Sequence, residues 1–200
     1  MKTNLLFAIV FALFAQIGNA QVFGIKGGVN FANMSFSSSQ MNVSPKSIVG
    51  FHFGPVADFK LQESLYFNTG VLYSLKGAKS GSGELTGTDK SNYLEIPLNL
   101  AYKFSINETS DFFIQAGPYL AYGLSNKDET DNESTDLFKE GLMKRFDFGL
   151  GFGGGVEFGA IVTSLNYELG LANLNDDPTY DGKIKNKVFQ ISIAYMFGKK

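Results

Sequence analysis

The chain has no cysteine and no tryptophan, a single histidine and only five prolines in 200 residues. Without cysteine there is no disulfide framework and no thiolate metal site. One histidine and no cysteine also make a poor ligand set for zinc. Charge of one sign is lacking too: 17 Lys+Arg stand against 19 Asp+Glu, a formal net charge of -2. No basic patch marks nucleic acid as a partner. Beyond the N-terminus no stretch of 18 apolar residues occurs, so no second helix could span a bilayer. What is present is glycine, 23 residues, and phenylalanine, 20 residues. That mixture disfavours long helices and suits strands joined by tight turns. The length fits one domain.

Residues 1–20 read as a secretory signal peptide. Lys2 supplies the positive end, Leu5 to Ala15 is an uncharged apolar run, and Gly18-Asn19-Ala20 ends in small residues. The run is shorter than the roughly 20 residues that span a bilayer. Cleavage is expected after Ala20, leaving residues 21–200 as one domain. No cysteine follows the cut, so the mature chain is no Cys-acylated lipoprotein.

From Gln21 onward the chain alternates with period two. Leu94, Ile96, Leu98, Leu100, Tyr102 and Phe104 interleave with Glu95, Pro97, Asn99, Ala101 and Lys103. Side chains at i and i+2 share a face of a strand, so one face is apolar and the other polar or small. Phe189, Ile191, Ile193, Tyr195 and Phe197 repeat the pattern near the C-terminus. Six more segments fit, beginning near Phe23, Val49, Phe67, Ile114, Phe146 and Leu165. The expected fold is all-β: an eight-stranded antiparallel up-and-down transmembrane barrel. Tilted strands of about 9–11 residues cross a bilayer, and a closed barrel is the β-form that satisfies every backbone group in lipid.

The direction of the faces follows from volume. Eight strands enclose a space just wide enough to be filled by side chains. The large Phe, Leu, Ile and Tyr side chains therefore point to lipid, and the glycine-rich, charged face lines the lumen. Connections alternate in length: long near Ala32–Lys46, Gly77–Lys90, Ser125–Lys144 and Asn173–Asn186, short near Leu61–Ser64, Ser105–Ser110 and Gly159–Ala160. Long outer loops and short periplasmic turns are the outer-membrane arrangement, with both termini periplasmic. Pro55, Pro97 and Pro118 fall within strands, where each removes a ladder donor. Bulges near a rim are the expected accommodation.

The segment Gly24-Ile25-Lys26-Gly27-Gly28-Val29-Asn30-Phe31 resembles the first strand of the PorT-like small outer-membrane barrels of Bacteroidetes. Tyr93-Leu94-Glu95-Ile96-Pro97-Leu98 resembles that family's fourth strand. Gln115-Ala116-Gly117-Pro118-Tyr119 and Gly151-Phe152-Gly153-Gly154-Gly155-Val156-Glu157 resemble its fifth and sixth. The resemblance spans about Gln21 to Phe197. It implies that Pro97 and Pro118 are ordinary features of such a barrel, and it admits a role in assembling or supporting protein secretion. Phe197 resembles the terminal aromatic read by outer-membrane assembly machinery, although Gly198-Lys199-Lys200 follow it.

Candidate chemistry is sparse. Gly149-Leu150-Gly151-Phe152-Gly153-Gly154 matches G-x-G-x-x-G, but it lies within a strand and no helix pattern follows. Small residues lining a crowded lumen explain it better. The acidic run Asp128 to Glu133 with Asp136 lacks the glycine and terminal glutamate spacing of an EF-hand, and reads as a solvated loop. Asn175-Asp176-Asp177 and Asp181-Gly182 read as turns. His52 would face the lumen and could pair with Asp58 or a serine, but no nucleophile motif accompanies it. No catalytic, cofactor or metal residues are expected.

Lys26, Asp58, Lys76, Glu95, Lys103, Asp147, Glu157 and Glu168 all fall on the expected inner face. Buried charges must be paired, so these eight are expected to form a lumenal network. The sequence thus predicts an exported, non-enzymatic outer-membrane protein of structural, adhesive or secretion-accessory type, whose extracellular loops carry recognition. The alternative is a porin-like passive channel for small solutes, which a filled eight-stranded lumen disfavours. Expected partners are outer-membrane lipid, the outer-membrane assembly machinery and a secretion-system or surface partner, with no cofactor and no nucleic acid.

Overall fold

A computed structural model describes residues 21–38, 45–82, 85–130, 133–177 and 181–198. The expected signal peptide, residues 1–20, lies outside the described residues. Ten strand segments run β1 (Gln21–Ser38), β2 (Lys46–Lys60), β3 (Leu65–Gly70), β4 (Leu72–Ser82), β5 (Leu85–Asn107), β6 (Ser110–Thr130), β7 (Glu133–Thr135), β8 (Phe146–Phe158), β9 (Ile161–Gly170) and β10 (Gly182–Met196). No helix occurs among the described residues. Every pairing is antiparallel, and β1 joins β10 from Gly24 opposite Met196 to Ser38 opposite Gly182. That pairing closes the sheet on itself. β3 and β4 form one wall strand interrupted at Val71, and β7 pairs only with the outer end of β6. The wall therefore has eight strands.

Large apolar side chains cover the outside. Leu100 is 52% exposed, Ile191 46% and Ile193 57%, so these residues do not meet in a dry interior. A slip of one residue would turn each such row inward. The lumen holds Asn30, His52, Lys76, Glu95, Asp147 and Gln190, all buried. Outside-apolar with inside-polar is the inverse of a soluble barrel.

Two features differ from the sequence reading. First, much of what reads as long loop is strand. β4 and β5 continue as a ladder from Leu72 opposite Glu95 to Ser82 opposite Leu85. β5 and β6 pair out to Gly87 opposite Thr130. Polar residues in a ladder standing above the bilayer satisfy their backbone groups without an apolar face, so hydropathy does not reveal them. Second, the prolines mark irregularities inside the wall rather than at a rim. Val71 donates its N–H to Pro55 O at 3.0 Å, and the break at Val71 lies between Pro55 on β2 and Pro97 on β5. Between β5 and β6 the register is the same on both sides of Pro118, but no pair joins Leu98 and Asn99 to Pro118 and Gly117, between Pro97 opposite Tyr119 and Leu100 opposite Ala116. Of four consecutive wall strands, β2, β5 and β6 thus each carry a proline, and the one between β2 and β5 is interrupted at Val71. Leu171 and Phe197, read as strand residues, lie just past the ends of β9 and β10.

Candidate functional site

Among the described residues the fold gathers its buried charges in the lumen, and they are layered. Near the short-turn end, Lys103 on β5 meets Asp58 on β2 at 3.1 Å and also pairs with Glu157 on β8. The ring of Tyr66 lies 4.0 Å from its ammonium, and Asn68 donates to the other oxygen of Asp58 at 3.0 Å. In the middle layer, Lys76 on β4 sits 2.5 Å from Glu95 and 2.9 Å from Glu168. All three side chains are almost wholly buried. Attraction at short range in a low-dielectric interior must offset the desolvation of each charge. Cation–π contact with Tyr119 at 4.2 Å adds to it. Above this layer Asp147 accepts hydrogen bonds from Tyr119 at 3.2 Å and Asn186 at 2.9 Å.

Of the eight residues singled out from sequence, six form two ion clusters: Asp58, Lys103 and Glu157, and Lys76, Glu95 and Glu168. Asp147 is held by neutral donors instead. Lys26 points into the lumen but makes no ion pair among the described residues. It borders a polar cavity of about 60 Å³ and a second of about 20 Å³. Three lumenal ammonium groups thus face five carboxylates. The sequence does not reveal these pairings: Lys76 and Glu95 lie on neighbouring strands whose relative height is set by the stagger of the closed sheet, and the other contacts join strands that are not consecutive in the chain.

Of the two partners expected for His52, Asp58 or a serine, the structure supplies the serine. It does not pair with Asp58. Its Nδ1 lies 2.7 Å from Asn30 Oδ1 and its Nε2 lies 3.0 Å from Ser192 Oγ. Asn30 Nδ2 donates to the carbonyls of Phe51 and Leu75, which only accept. The amide oxygen therefore faces His52, so Nδ1 carries the proton and Nε2 accepts from the Ser192 hydroxyl. Serine, histidine and an orienting amide in this order match the layout of an activated nucleophile. However, Ser192 is 5% exposed and faces the cavity of about 60 Å³, room for a few waters and little else.

The G-x-G-x-x-G run lies in β8 with no helix after it. A Cβ at Gly149 would lie 2.6 Å from the Tyr119 ring, so this glycine makes space for the aromatic that covers Lys76. Asp136 caps a tight turn, accepting from the backbone N–H of Phe138 at 3.1 Å and pairing with Lys139 at 3.5 Å. The side chains of Asp128 to Glu133 lie outside what the structure describes.

The segment after β7, expected as a solvated loop, is instead a cover. Phe138, Met143 and Leu174 fold over the mouth at the long-loop end and pack with Met34, Ala78, Tyr93, Tyr119, Ala121 and Ala172 in one buried apolar cluster. Phe138 meets Tyr93 edge to face, ring centres 6.0 Å apart. Arg145 lies 5.1 Å from the Phe138 ring and donates to the carbonyls of Gly123 and Leu124 at 2.9 and 3.2 Å. Lys144 N bonds Leu174 O at 2.8 Å, tying the two outer segments together. Isolated apolar residues in polar surroundings carry no period, which is why the cover is not legible from sequence.

The family described as "Outer membrane protein beta-barrel domain" matches residues 14–176. No curated protein matches the chain. Among solved structures, the attachment invasion locus protein Ail of Yersinia pestis is 17% identical, with 89% of this chain and 99% of that one covered and a TM-score of 0.44. Neisserial surface protein A is 15% identical over 88% and 97% of the two chains, with a TM-score of 0.48. The outer membrane enzyme PagL is 13% identical over 88% and 99%, with a TM-score of 0.43.

Proposed function

Since this chain belongs to the outer membrane protein beta-barrel domain family, we propose that it is a non-enzymatic barrel of structural, adhesive or secretion-accessory type that acts through its outer surface. The observation that carries this reading is the double closure of the lumen. The apolar cover of Phe138, Met143 and Leu174 sits over the Lys76–Glu95–Glu168 layer, so a solute meets two barriers in series. Function then resides on the extracellular ladders and loops. Within the same proposal, residues 1–20 are a cleaved signal peptide and 21–200 the mature domain. Tyr93 to Leu98 and Gly151 to Glu157 support placing the chain in the PorT-like group of Bacteroidetes, with a secretion-system or surface partner and the assembly machinery as contacts. Conductance of the refolded chain in a planar bilayer tests the reading. The expected result is no steady current; a stable open current establishes the porin alternative instead.

A further inference from the structure

The outward face of β10 changes character abruptly. From the long-loop rim downward it presents Lys183, Lys185 and Lys187, then Phe189, Ile191, Ile193 and Tyr195. The inward partners are fixed: Ile184 packs against the apolar cover and Asn186 donates to Asp147 at 2.9 Å. A one-residue slip would bury the lysines, so this register forces them outward. Successive outward side chains stand roughly 7 Å apart along a strand. Opposite them on β1 are Ser37, Ser35 and Asn33, which carry no charge. Among the described residues none of the three lysines makes an ion pair. Across the top of β9, Lys144, which pairs with Asp176 at 3.8 Å, and Arg145 border a groove of about 550 Å³ above Phe146, which is 54% exposed; Asp176 lines the same groove. The opposite rim differs: Lys60 there is accompanied by Glu63, Glu108 and Asp111.

Like charges stacked on one face repel unless anions meet them. These lysines are continuous with the lipid-facing rows below, so whatever neutralises them also touches acyl chains. Lysine stems can lie along the apolar boundary while their heads reach the headgroup layer. We infer that the outward face of β10 from Lys183 to Lys187, with Lys144 and Arg145 beside it, binds the phosphorylated headgroups of anionic lipid in the leaflet at the long-loop rim. This rests on the reading of the chain as a membrane-embedded barrel. It would also fix the barrel's height in the bilayer, with Phe189 at the hydrocarbon boundary.

The test uses the full chain refolded into phosphatidylcholine nanodiscs, titrated with bisphosphorylated lipid A, with the same lipid stripped of its phosphates, and with inorganic phosphate. Bound lipid is counted by native mass spectrometry after extraction. The wild type is expected to retain the phosphorylated lipid at least tenfold better than the stripped one. K183Q/K185Q/K187Q is expected to lose that preference, and K60Q on the other rim to keep it. Equal retention of both lipids, or an unaltered triple variant, overturns the inference. Saturation of the site by inorganic phosphate at the same concentration overturns the lipid as its source. A heat-dependent shift on a denaturing gel reports folding of each variant, since none of these side chains enters the lumen. A chain that fails to insert at all refutes the membrane reading itself, whereas an inserted chain indifferent to phosphate refutes only the lipid site.

Discussion

The ammonium of Lys76 lies 4.2 Å from the centre of the Tyr119 ring. It is thus enclosed by an aromatic face as well as by the carboxylates of Glu95 and Glu168. One cation serving two acids makes the three positions unequal. Removing Lys76 leaves two carboxylates in a dry lumen, whereas neutralising Glu168 leaves a matched pair. K76M is expected to destabilise the folded barrel by about 3–5 kcal/mol, and E168Q by clearly less. Urea midpoints of the refolded variants in micelles measure the order; equal midpoints contradict it.

The exposed pair Lys144–Asp176, at 3.8 Å and with side chains 48% and 52% exposed, is the contrasting case. Water and salt screen such a pair, and side-chain entropy opposes it. D176N is expected to leave the midpoint unchanged within about 0.5 kcal/mol. K103M, which removes the cation shared by the buried Asp58 and Glu157, is expected to lower it markedly.

Gly123 tests the cover. A Cβ at this position would lie 2.5 Å from two carbons of the Phe138 ring. G123A is expected to expel that ring, exposing residues 136–145 to chymotrypsin from the outside. F138A in the same background removes the clash but not the loss of packing. Neither variant is expected to conduct, because the Lys76 layer remains beneath. A steady current from G123A alone would place the whole barrier in the cover.

The hydrogen bonds of Asn30 dictate the tautomer of His52. Nitrogen-15 shifts of the refolded, labelled protein are expected to report a protonated Nδ1 and a bare Nε2. The opposite pattern means that the Asn30 amide is reversed and that Ser192 accepts rather than donates.

How much of this was legible beforehand depends on period. The row from Leu94 to Phe104 assigns its own faces, because a strand has only two, and the lumenal position of Glu95 follows from that alone. Its partnership with Lys76 does not follow, since the height at which two strands meet depends on the tilt and stagger of the closed sheet. The polar ladder from Gly77 opposite Lys90 to Ser82 opposite Leu85 reads as loop because it stands clear of lipid and needs no oily face. Phe138 and Met143 gave no signal because nothing in their spacing marks them as packed. A serine beside His52 is expected, but neither Asn30 nor which serine is legible, because single amides and hydroxyls are common on a polar face.

The run of Pro55, the Val71 break, Pro97 and Pro118 has a mechanical consequence. Each lost ladder bond removes roughly 1 kcal/mol of cohesion between neighbouring strands, and here the losses lie side by side. The closure between β1 and β10, by contrast, is registered without interruption from Gly24 to Ser38. Under load the cylinder should therefore part along its proline-bearing flank, and amide protons there should exchange with solvent before those of the seam that joins the two ends of the chain.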